Sequence, residues 1–85
     1  MVCGHILIST ELGEALNVAK KVAKVDGIES ACAVTGGVDV IAHFEVENLA
    51  DIGTLVAEKV HEIEGVTDTQ TAICVTCHGE TCSCA

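Results

Sequence analysis

Two apolar runs, Ala31 to Val34 and Val38 to Val46, meet at Gly36-Gly37, and the chain after that seam repeats the chain before it. Val25-Asp26-Gly27-Ile28 and Ile63-Glu64-Gly65-Val66 share one pattern, 38 positions apart. The same offset carries Thr10 onto Asn48, both good helix N-caps, and Ile6 onto Phe44, both inside apolar runs. A repeat of this length is one supersecondary unit that cannot bury its apolar face alone. The chain is therefore read as two strand–helix–strand halves joined at the glycines. A Gly-Gly pair between apolar runs predicts a hairpin with a primed two-residue turn, where positive φ costs glycine nothing.

The elements follow from periodicity. Gly4 to Thr10 reads as a strand centred on His5-Ile6-Leu7-Ile8. Thr10 or Ser9 caps a helix whose stripe is Leu12, Ala15, Leu16, Ala19, Val22 and Ala23. Lys20, Lys21 and Lys24 lie toward its C-terminal end, where they favour the helix dipole. Gly27 ends it as a left-handed cap. Ile28 to Thr35 and Val38 to Val46 are the second and third strands. Asn48 caps a second helix with Asp51 in its first turn, and its stripe is Leu49, Ile52, Leu55, Val56, Val60 and Ile63. Gly65 ends that helix, and Val66 to Val75 is the fourth strand. The order βαββαβ with right-handed crossovers predicts an α+β, ferredoxin-like sandwich, a four-stranded antiparallel sheet with both helices on one face. Residues 1–75 make this domain and residues 76–85 a cysteine-rich tail.

The other sheet face has no helix to cover it. On a chain of 85 residues, a partly apolar open face carrying His5, Leu7, Val38 or Asp39, and Ala42 or His43 predicts a homodimer or higher homo-oligomer. Acidic residues number 13 against 4 basic ones, with no arginine, and Phe44 is the sole aromatic. Phosphate neutralisation and base stacking need the opposite balance, so direct nucleic-acid binding is not expected. No apolar run is long enough to span a bilayer and no signal peptide is visible, so a cytoplasmic protein without a membrane partner is expected. No Ser-His-Asp order, paired-carboxylate site or phosphate loop points to an enzyme.

Several segments together resemble a known family. They are Ile6-Leu7-Ile8-Ser9-Thr10-Glu11, Val34-Thr35-Gly36 with Asp39, Leu55-Val56-Ala57-Glu58-Lys59-Val60, and Ile63-Glu64-Gly65-Val66 followed by Thr67-Asp68-Thr69-Gln70-Thr71. The combination, over residues 4–75, resembles the effector-binding domain of the Lrp/AsnC regulators, also called the RAM domain. The resemblance implies sheet-to-sheet dimers, forming a dimeric α/β barrel-like assembly, that assemble further. It also implies an amino-acid-like effector bound between dimers near the hairpin and the last strand. Carried over by position, the candidate ligand-binding residues are Thr35, Gly36, Asp39, Thr69 and Thr71. The chain leaves no room for the family's N-terminal helix-turn-helix, so a stand-alone domain is expected. Independently of the family, glycines admit a ligand to the backbone, threonine hydroxyls donate and accept, and Asp39 could pair an ammonium group.

The family does not account for the tail. Cys74-Val75-Thr76-Cys77-His78 is followed by Cys82-Ser83-Cys84. A C-x-x-C pair lets two thiolates meet one ion, with His78, Cys82 or Cys84 completing four ligands. Zinc, Cu(I) or an iron–sulfur cluster fits such donors. An antiparallel first and fourth strand would bring Cys3 close to Cys74 or Cys77 as a further ligand. The same residues spell the c-type haem signature C-x-x-C-H, and a dithiol redox pair or a disordered tail with incidental cysteines are further alternatives. In a reducing compartment six cysteines suggest metal or redox chemistry more than a disulfide framework. Cys32 is read as a small core residue.

Overall fold

The computed structural model describes residues 1–79 of the chain. Its elements are β1 (Val2–Thr10), α1 (Ala15–Val22), β2 (Ile28–Ala33), β3 (Val40–Val46), α2 (Leu49–Gly53) with a π-helical continuation (Thr54–Val60), and β4 (Val66–Ile73). The strands form one antiparallel sheet in the order β2-β3-β1-β4. This is the ferredoxin-like sandwich expected from the repeat. Ile6, Ile8, Val40, Ala42 and Phe44 share the helix-side face of the sheet and cluster with Val18 and Val22 of α1 and with Ile52, Leu55 and Val60 of the second helix. Fully burying each Val, Ile, Leu or Phe of this cluster contributes roughly 1.5–3 kcal/mol, which holds both helices to the one face.

The repeat is visible in the turns. Val25 donates its amide to the Val22 carbonyl at 3.0 Å, and Ile63 to Val60 at 3.1 Å. Ile28 donates to Val25 at 3.1 Å, and Val66 to Ile63 at 3.2 Å. Gly27 and Gly65 both sit at φ +100, the left-handed cap that only glycine adopts without strain. Each is covered by the other half. Gly27 faces Leu55 and Val46, whereas Gly65 faces Val18 and Glu14.

The structure corrects several expectations. The hairpin is not a two-residue turn, because β2 stops at Ala33 and β3 starts at Val40. The Val34 amide reaches the Asp39 carbonyl at 2.9 Å and closes a six-residue loop. Gly36 has φ +126 but Gly37 is not in the positive region, so the primed turn is not made. Neither Ser9 nor Thr10 caps α1, since both end β1 and the helix begins at Ala15. The Glu11 amide is held by the Gly65 carbonyl at 2.8 Å, and Glu14 closes a turn onto Glu11 at 3.0 Å. Those bonds use the segment that a longer helix would need. Leu12, before the helix, and Leu16, within it, are both exposed, and Val18 is buried. Asn48 does start α2, with its amide donating to Asp51 Oδ2 at 3.2 Å. Leu49, expected in the buried stripe, is exposed. The helix then widens, and His61 donates to Val56 at 2.9 Å, a five-residue step that ends the π segment.

Register settles the open face. His5 lies directly opposite His43 and Leu7 opposite Ile41 on the β1–β3 ladder. Ala42, one of the two alternatives for this face, is in the core. Cys32 pairs with Ile41, is exposed and has a free thiol, so it is not the small core residue expected. Among the described residues no helix is long and apolar enough to cross a membrane.

Candidate ligand-binding site

The loop between β2 and β3 is fastened to the rest of the fold through one acidic side chain. Asp39 Oδ2 accepts the Thr10 amide at 2.8 Å, in a part-buried bond between residues far apart in sequence. The Asp39 amide donates to the Ile8 carbonyl at 3.0 Å. Two bonds thus dock the loop on the end of β1, and a charged acceptor makes the first one stronger than a neutral pair. The sequence points Asp39 at an ammonium group. In the structure one of its oxygens already braces the hairpin.

The threonines lie across the same strand. Thr69 pairs with Ile8, whose carbonyl holds Asp39, and Thr71 pairs with Ile6. Since Ile6 and Ile8 face the helices, both hydroxyls belong to the helix side of β4. Thr69 is half-buried and Thr71 exposed. β4 is an edge strand, so this row is open along its outer side. Thr35 and Gly36 occupy the loop before Asp39, and both are exposed. The end of β1 therefore gathers Asp39 and Thr69 directly, with Thr71 one pleat further along and Thr35 and Gly36 out on the loop.

Sequence reasoning did not single out a cleft beside the other end of β3. It measures about 410 Å³ and is lined by Asp26, Glu45, Glu47 and Asp51 with Lys59 and Thr54. Its acidic residues come from three separate segments and show no common spacing in the sequence.

The tail is described only in part. The Cys74 amide donates to the Cys3 carbonyl at 2.8 Å, so the start of β1 and the end of β4 do lie together. Cys74 carries a free thiol that points at the Thr76 carbonyl, 3.3 Å away. Cys3 is buried. Cys3 and Cys77 are both disulfide-bonded, against the expectation of thiolates in a reducing setting. A sulfur in that state offers no thiolate to an ion. His78 is exposed. Cys82 and Cys84, the remaining expected ligands, lie outside the described residues. Among the described residues no group of three or more His, Cys, Asp or Glu side chains is placed to hold a metal.

Comparison with known proteins decides what this fold belongs to. The sequence profile of the Lrp/AsnC ligand binding domain matches residues 4–81. The chain belongs to the Lrp/AsnC ligand-binding-domain family. A curated relative, an uncharacterized HTH-type transcriptional regulator of Pyrococcus furiosus, is 34% identical over 56 residues. That match covers 66% of this chain but 37% of the regulator, so the chain corresponds to a part of it. Among solved structures, TTHA0845 of Thermus thermophilus superposes with a TM-score of 0.86 at 19% identity, covering 94% of this chain and 100% of that one. The Neisseria meningitidis transcriptional regulator NMB0573, solved in complex with L-Met, superposes with a TM-score of 0.82 at 21% identity, covering 99% of this chain and 56% of that one. The matching family is one of ligand-binding domains.

Proposed function

We propose that this Lrp/AsnC domain is a non-enzymatic sensor that binds an amino-acid-like effector beside the hairpin loop and β4, working as a homodimer or larger homo-oligomer. The observation that carries the reading is the Asp39–Thr10 bond. It braces the loop beside the threonine row of an open edge strand, which is what a small polar ligand needs: fixed backbone donors and hydroxyls with free valences. The free oxygen of Asp39 suits an ammonium group, and Thr69 and Thr71 suit a carboxylate or side-chain polar group. The L-Met complex of the Neisseria regulator adds support for the ligand class. An assembly through the open face is supported by Leu7 and Ile41, apolar neighbours on the face turned away from both described helices.

Calorimetric titration with the twenty amino acids tests the effector. A saturable signal for one of them, weakened roughly tenfold by Thr69→Val through loss of one hydrogen bond, supports the site. Absence of heat for all twenty amino acids removes the reading. Sedimentation of the wild type and of Leu7→Asp tests the assembly, and a wild-type monomer at micromolar concentration refutes it.

A further inference from the structure

The repeat that builds the fold also places a histidine opposite itself. His5 and His43 are 38 positions apart, the offset of the two halves, and they are direct partners on the β1–β3 ladder. The internal two-fold of the domain therefore passes between these two side chains, at the middle of the two central strands. Their rings lie on the open face, with centroids 5.2 Å apart and planes inclined at 46°. Among the described residues, neither ring is held by a hydrogen bond or an ion pair.

That separation is one a shared ion can span. With metal–nitrogen bonds of about 2.0–2.1 Å and ring nitrogens roughly 1.1 Å from the ring centre, each centroid stands ~3.2 Å from the ion, and a tetrahedral angle sets the two centroids ~5.2 Å apart. One chain supplies only these two donors, since no third ligand-type side chain is placed with them among the described residues. A second copy laid face to face on the same sheet, centred on the same two-fold, presents the same pair from the other side.

We infer that His5 and His43 are half of a divalent transition-metal site that is completed by the same two histidines of a second copy of the chain. Four imidazoles and no carboxylate favour zinc or a neighbouring first-row ion over calcium or magnesium. Leu7 and Ile41, in the next row along the strands, would close the site to water. Metal binding then tightens the dimer, because an ion held by both copies binds the dimer better than the monomer. The inference rests on the face-to-face dimer proposed above, and sedimentation without metal reports that dimer separately.

Divalent cobalt titrated into the full-length protein is the test, since its spectrum reports both geometry and donor type. Expected is one cobalt per two chains, a tetrahedral visible spectrum, and no sulfur-to-cobalt charge-transfer band. His5→Gln and His43→Gln, at exposed or half-buried positions, should each weaken binding by roughly 100-fold or more, since even an outer-shell partner is worth about 10–100-fold. Far-ultraviolet circular dichroism should not change in either variant. Cobalt should also shift the wild type, but neither variant, toward the dimer in sedimentation. One cobalt per chain, a sulfur band, binding that survives both substitutions, or no binding would each overturn the inference. A metal-free dimer together with no cobalt binding would defeat the metal site and leave the assembly standing.

Discussion

The two halves of this molecule agree where the fold is made and differ where a ligand would sit. Several positions that close a helix or fill the core coincide under the 38-residue offset. Gly27 and Gly65 share φ +100, the turns after both helices carry the same pair of hydrogen bonds, and Ile6 and Phe44 are both fully buried. The edge strands do not agree. Ala31 and Ala33 of β2 fall on Thr69 and Thr71 of β4, so hydroxyls stand on one edge where methyl groups stand on the other. The helix entries also differ, with Thr10 ending a strand where Asn48 starts a helix. Asp39 falls on Met1, so the repeat does not dictate it. Where two copies of one folding unit coincide, folding explains the residue. Where they diverge, each residue needs its own account: Ile52 and Leu55, which fall on Glu14 and Asn17, fill the core, whereas Thr69 and Thr71 do not.

The largest effect should come from breaking the coincidence at the core. Phe44→Ala removes a side chain with 0% exposure at the centre of the cluster and should cost about 3–5 kcal/mol, with Ile6→Ala costing about 2–5 kcal/mol. Urea denaturation of both variants measures this, and similar losses would show that the halves share one core.

Next in size is the brace that only one half possesses. Asp39→Ala leaves the Thr10 amide without its part-buried acceptor and should cost about 1.5–3 kcal/mol. Asp39→Asn keeps an acceptor oxygen but removes the charge, so it should cost less than half of that. Asp39→Asn should nonetheless weaken binding of an ammonium-bearing effector about as much as Asp39→Ala does. Equal stability losses in the two variants would show that the carboxylate charge, not the acceptor geometry, holds the loop.

What could be read from the sequence follows the same division. The repeat, the glycine caps and the alternation around Ile6 and Phe44 are local signals, so element order, sheet type and one-sided helices were legible. The start of α1 was not, because Leu12 fits a helical stripe, whereas the long-range bond from Glu11 to Gly65 engages that segment elsewhere. The six-residue loop was missed for a related reason, since Gly36-Gly37 satisfies a primed turn locally while Asp39 is drawn to β1 by Ile8 and Thr10. The candidate residues rest on the family resemblance and on the chemistry of Gly36, Asp39 and the threonines, not on their spacing. No residue spacing announces that Thr69 lies across β1 from the Asp39 loop; pairing on both sides of Ile8 does that. The His5–His43 contact was hidden for the same reason, as it needs the register of two strands.

A smaller effect separates the two glycine caps. Replacing either by alanine forces a left-handed residue and should cost about 1–2 kcal/mol. At Gly65 the added Cβ would also lie 3.0 Å from Val18 Cγ2 and 3.2 Å from Glu14 Cβ, against 3.4 Å from Leu55 Cδ1 at Gly27. Gly65→Ala should therefore be the worse of the two in thermal melts. Equal shifts would mean that α1 gives way as easily as the leucine tip does.

The smallest effect tests the helix entries. Asn48 is the N-cap of α2 in a capping box, its side chain facing the Asp51 amide while its own amide donates to Asp51 Oδ2. Asn48→Ala should cost about 1 kcal/mol, the ordinary value of a lost cap. Thr10, its counterpart under the repeat, caps nothing. Its hydroxyl donates to the Glu11 carbonyl at 3.2 Å in an exposed bond, and the bond that matters at this residue is made by its amide, which any side chain retains. Thr10→Ala should therefore shift stability by less than about 0.5 kcal/mol. A loss as large as that of Asn48→Ala would mean that in solution α1 starts at Thr10 and the halves are more alike than the structure makes them.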